Sequence, residues 1–124
     1  MIKQIEQIKQ IATELGVIFE DDTGSMHCSI KIPSAYYDTK NNYVTDPSTI
    51  YIFHYDKKRI TECLCYNNLT IKKNKFVWVG GDDYDSFIIT IDIEKIKTTL
   101  IKCLKEIKEK EEELKIKDLE KDFK

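Results

Sequence analysis

The hydrophobic period of this chain changes twice, and that order restricts the fold more than any motif does. At the amino end Ile2, Ile5, Ile8, Ala12 and Leu15 recur at helical spacing, with Lys3, Glu6, Gln7, Gln10 and Glu14 elsewhere. Gly16 follows, where a helix favours a left-handed residue. From Val17 onward the apolar residues alternate in twos between clusters of turn formers. From Asp92, a fair N-cap, the helical period returns in Ile93, Ile96, Leu100, Cys103, Leu104 and Ile107. The reading is one α+β domain over residues 1–124: a helix over 2–15, an antiparallel sheet of about five or six strands, and a long C-terminal helix. Helices at the two ends of a strand meander are expected to pack on the sheet. Past Ile107 the apolar stripe thins, so 108–124 reads as a charged helical extension.

Within the strand region "MHCSIKI" alternates, with Met26, Cys28, Ile30 and Ile32 inward and His27, Ser29 and Lys31 outward. Residues 33–48, "PSAYYDTKNNYVTDPS", lose the period and carry both prolines and three tyrosines. The expectation is a meandering loop with its tyrosines flat on the surface, set against a functional loop, since unstructured connections this long are uncommon. Either Asn67-Asn68 or Lys73-Asn74 suits a two-residue turn. "GGDDYDS" reads as a turn joining a strand at 76–79 to another at 87–91.

The stretch "TIYIFHYDKKRITECLCYNN", residues 49–68, poses the sharpest question. Folded as a regular hairpin around Asp56 to Arg59, it pairs Tyr55 with Ile60, Phe53 with Glu62 and Tyr51 with Leu64. One face then holds Ile50, Ile52, Cys63 and Cys65, the other Tyr51, Phe53, Tyr55, Leu64 and Tyr66. Both faces are apolar, and an uncovered aromatic patch of that size exceeds what monomers usually expose. A helix on each face, a homodimer, or a different protein would each cover it.

Chemistry-bearing motifs are scarce. The chain has 20 basic and 22 acidic residues, and Arg59 is the single arginine. Lysine lacks the planar fork that reads guanine and clamps phosphate, so direct readout of nucleic acid is not expected. Cys28, Cys63, Cys65 and Cys103 read as buried free thiols. A zinc site from these with His27 or His54 is disfavoured because Cys63 and Cys65 sit mid-strand and the histidines point elsewhere. Asp82, Asp83 and Asp85 in the glycine-led turn imitate a cation or nuclease site, but turn geometry alone explains them. With four glycines, no nucleophile elbow and no phosphate loop, the expectation is no catalytic residue, no metal and no cofactor. No 18-residue apolar run suggests a membrane span, and the amphipathic start does not resemble a secretion signal. A cytoplasmic protein is expected.

The functional expectation is a small module that binds another protein. Its contact residues would be Tyr51, Phe53, Tyr55, Leu64 and Tyr66, with Asp82, Asp83 and Asp85 as acidic partners. Heavy use of Ile, Lys, Asn, Tyr and Asp suits an AT-rich genome, as in low-GC bacteria, their phages and plasmids. The concrete form is therefore a phage- or plasmid-encoded anti-defence inhibitor of a host macromolecule, such as a nucleic-acid-guided nuclease. The alternatives are an oligomeric trap for a nucleotide signal, its phosphates held by Lys57, Lys58 and Arg59, and a metal-dependent nuclease.

Overall fold

A computed structural model describes residues 2–22, 24–40, 45–80 and 92–122. Helix α1 spans Lys3–Leu15 and buries Ile5, Ile8, Ile11 and Ala12. It ends as its sequence expects: Gly16 takes φ 73°, and its own N–H and that of Val17 return to the carbonyls of Thr13 and Ala12. Four strands follow, β1 (Ile18–Asp22), β2 (His27–Lys31), β3 (Thr49–Tyr55) and β4 (Ile60–Cys65), forming one antiparallel sheet in that order. Strands β5 (Asn68–Lys72) and β6 (Lys75–Val79) make a separate hairpin. Lys73 and Asn74 form its turn, both with positive φ, which settles the choice against Asn67-Asn68. Helix α2 runs Ile93–Asp122, and the Asp92 carboxylate accepts from the Lys95 N–H at 3.2 Å, a working N-cap.

The arrangement is thus α+β, with two antiparallel sheets among the described residues. The expected strand at 87–91 and the turn before it lie outside those residues.

The 49–68 hairpin departs from its regular form at one residue. Tyr55 pairs with Ile60 as expected, but His54 pairs with Glu62, leaving Thr61 as a bulge. Beyond it every β4 side chain is flipped relative to β3. Phe53 meets Cys63, Tyr51 meets Cys65, and Ile52 meets Leu64. The regular register and its two apolar faces are therefore corrected. One face collects Cys28, Ile30, Tyr51, Phe53, Ile60 and Cys65, all buried, while Ile52, Leu64 and Glu62 turn to the other. A regular hairpin would have pressed the Glu62 carboxylate against Phe53 beneath the helices, at the cost of burying an unpaired charge.

Both helices cover that one face. The Tyr51 hydroxyl is hydrogen-bonded to Thr99 of α2, and α1 and α2 join Phe53, Cys28 and Ile30 in one buried cluster. Met26 leaves the expected β2 alternation: it sits in the preceding turn at φ 52° and is exposed.

The 33–48 segment is more than a surface meander. Tyr37 is buried, donates its hydroxyl to the Ile32 carbonyl at 2.6 Å, and accepts from the Trp78 indole N–H at 2.9 Å. Phe76 donates to the Tyr36 carbonyl, Asp38 to that of Phe76, and Trp78 to that of Pro47. The segment thereby ties the β5–β6 hairpin to the rest, and Tyr36 packs on Phe76 with centroids 5.6 Å apart. Residues 41–44 lie outside the described residues. The Ser34 hydroxyl donates to Glu111 and Leu114 is buried, so α2 is packed that far along. Among the described residues, no helix is long and apolar enough to cross a membrane.

Candidate protein-binding surface

Both helices lie on one side of the four-stranded sheet, and among the described residues neither helix covers its other face. Its positions come in cross-strand rows. Glu20, Ser29, Ile52 and Leu64 form one, and Asp22, His27, His54 and Glu62 the next. None of these eight side chains is buried. At the β1 edge Ile18 is 42% exposed. Ile52 and Leu64, directly paired, are the apolar centre of the face.

The polar residues around them are held in place. Lys31 bridges Glu20 at 2.9 Å and Asp46 at 3.5 Å. Burial alone would lower the Lys31 pKa, but the hydrogen bond and charge of Glu20, with help from Asp46, hold it raised. Asp46 is likewise partly desolvated, yet the Ser48 hydroxyl and N–H, at 2.6 Å and 2.9 Å, with the Lys31 charge keep its carboxyl below the usual range. Asp22 is lowered by the Ser25 hydroxyl and N–H and, more weakly, by His27.

The residues expected to make contact are dispersed. Tyr51 is 4% exposed and Phe53 fully buried, so neither ring reaches the surface, a correction that follows from the Thr61 bulge and the helices above them. Tyr55 lies on the helix-facing side at the sheet's end, where its hydroxyl donates to Asp21 at 2.7 Å. That hydrogen bond, with some burial, pushes its pKa up to about 12. Tyr66 is half-buried against the core. Leu64 alone of the five lies on the open face, joined by Ile52, which the regular register had turned inward. Asp82, Asp83 and Asp85 lie outside the described residues.

A groove of about 680 Å3 runs between the start of β5 and α2. Asn67, Thr98, Thr99, Lys102 and Lys105 line it, with Glu106 and Glu109 toward one end. Sequence reasoning missed it because it joins residues more than thirty positions apart across two elements. Tyr51 and Phe53 are core and present no ring face on which a base could stack.

None of the four cysteines is in a disulfide, and they lie on the helix-facing side or on α2, away from the histidines. Burial first, and neighbouring acidic groups and thiols second, push Cys28, Cys63 and Cys103 up to about 12. Thiols so raised are poor nucleophiles. Among the described residues, no three His, Cys, Asp or Glu side chains converge to hold a metal. Comparison with family models, with curated proteins and with solved structures finds no match to this chain.

Proposed function

We propose that this chain is a protein-binding module that uses the open face of its four-stranded sheet. The observation that carries the reading is the Ile52 and Leu64 pair, partly exposed at the centre of that face within a rim of Glu20, Lys31, Asp22, His27, His54 and Glu62. An apolar centre inside a polar rim is the anatomy of a protein interface. The partner class that suits this chain is a larger protein, blocked sterically. With the AT-rich style of composition, the concrete form remains an anti-defence inhibitor of a host macromolecule, carried by a phage or plasmid and acting in the cytoplasm. Pairing with a second copy through the same face is the competing use of that surface.

The test is affinity capture from a low-GC bacterial lysate, washed at about 0.5 M salt, where charges are screened beyond roughly 4 Å. Wild type and the double variant Ile52→Glu, Leu64→Glu are compared. A stoichiometric partner lost from the variant, with the melt unchanged, is the expected result. Capture that survives the double variant, or no partner at all, overturns the reading.

The groove beside α2 supports a second reading, a small anionic ligand held by Lys102 and Lys105 with Asn67 and Thr98 as polar partners. A melt raised by nucleotides in wild type but not in Lys102→Ala would favour it.

A further inference from the structure

The chain contains two histidines, and the fold places them directly opposite each other. His27 and His54 are cross-strand partners on β2 and β3, their ring centroids 5.8 Å apart and their planes inclined by 39°. The Tyr55 N–H donates to the Met26 carbonyl at 3.0 Å, one residue beyond this pair. That pattern makes His27 and His54 a non-hydrogen-bonded pair, the type in which opposed side chains come closest, with Cα atoms about 4.5 Å apart. Both rings are partly exposed on the open face. The row ends in a carboxylate on either side, Asp22 on β1 beside His27 and Glu62 on β4 beside His54.

We propose that His27 and His54 form a two-imidazole site for a divalent late first-row transition ion such as Zn2+, Ni2+ or Cu2+. Imidazole nitrogens bind these ions at roughly 2.0–2.1 Å. A ring nitrogen lies roughly 1.15 Å from its centroid, so an ion about 2.1 Å out along its lone pair stands about 3.25 Å from that centroid. Two rings 5.8 Å apart that both aim at one ion then set an N–metal–N angle of roughly 125°, wider than the ideal tetrahedral angle of about 110° but within reach of a distorted four-coordinate site. Imidazole selects these ions over Mg2+ and Ca2+, which take oxygen ligands. Since no third ligand converges among the described residues, water or a partner's side chain fills the remaining positions. Asp22 and Glu62 add negative charge at both ends of the row without occupying the site.

Two strands carry one ligand each, so the ion also clamps the β2 and β3 pairing. Its binding free energy adds to the stability of the folded chain, because the unfolded chain holds the two rings 27 positions apart in sequence.

The test is calorimetric titration of the full chain with NiCl2 and ZnCl2 in a non-chelating buffer, alongside His27→Ala and His54→Ala. Histidine ring resonances are followed by NMR in parallel. The expected result is saturable binding by wild type, weakened at least about tenfold in each variant, the scale at which even outer-shell partners act. The resonances of both rings should move together. His54→Gln, which keeps a polar residue at the site, serves if the alanine variant folds poorly and should show the same loss. An isotherm unchanged by either substitution would place the ion elsewhere, on the thiols for instance, and overturn the proposal. So would the absence of saturable binding by wild type.

Discussion

Phe53 lies opposite Cys63, not opposite Glu62, and that single displacement decides which side of this protein is core. Phe53 is fully buried, whereas its neighbour Ile52 faces out beside Leu64. Phe53→Ala should therefore cost about 3–5 kcal/mol, as large-to-small changes in cores do. Ile52→Ala, on the open face, should cost about 0.5 kcal/mol or less. Urea unfolding of the two variants checks this, and equal losses would mean that the bulge is misplaced.

How far the sequence revealed this fold depended on how local the deciding physics was. The α1 stop at Gly16, the Asp92 cap and the alternation of β2 from His27 onward are set within a few residues and stood as expected, whereas Met26 turned out of the strand. The Thr61 bulge is set by what lies across the sheet, because only the helices above make Glu62 costly on the Phe53 side. A clue was present in "TECLC": a charged residue at a position that a regular hairpin would bury. The expected contact residues inherited the error: Leu64 lies on the face away from the helices, whereas Tyr51 and Phe53 are in the core. The facing histidines escaped notice for the same reason, since their register depends on pairing across an intervening loop.

Tyr37 makes a second test. Its buried hydroxyl links the Ile32 carbonyl to the Trp78 indole. Tyr37→Phe leaves two desolvated groups short of a partner, which should cost about 1–3 kcal/mol. Trp78 is the chain's single tryptophan, so its fluorescence reports the change directly. An unshifted emission maximum with unchanged stability would show that the 33–48 segment is not anchored here.

Gly16 isolates a backbone effect. Its φ of 73° is left-handed, and a Cβ built there meets nothing within 4 Å. Gly16→Ala should therefore destabilise through conformation alone, by about 1–2 kcal/mol. Gly16→Asn should recover part of that, since Asn tolerates this region better. Thermal melts of the two variants decide it, and Asn behaving no better than Ala would point to a different stop for α1.

The thiols give a pH prediction with a defined sign. Burial, then nearby acidic groups and thiols, raise Cys28, Cys63 and Cys103 from an ordinary 9.0 to about 12. As pH rises past 9.0 the unfolded chain loses these protons while the folded chain keeps them until about 12. The folded state then binds more protons, so stability present below pH 9 is lost steadily across that window. Tyr37 and Tyr51, raised mainly by burial, act in the same direction. Urea midpoints should fall from neutral pH toward pH 11, and less steeply in Cys28→Ala. Iodoacetamide at about pH 8 should label these cysteines only after unfolding, because the thiolate is the reacting species. Rapid labelling of Cys28 or Cys103 in the native protein would show that the sheet and α2 part readily at this core, and the alkaline sensitivity would then need another source.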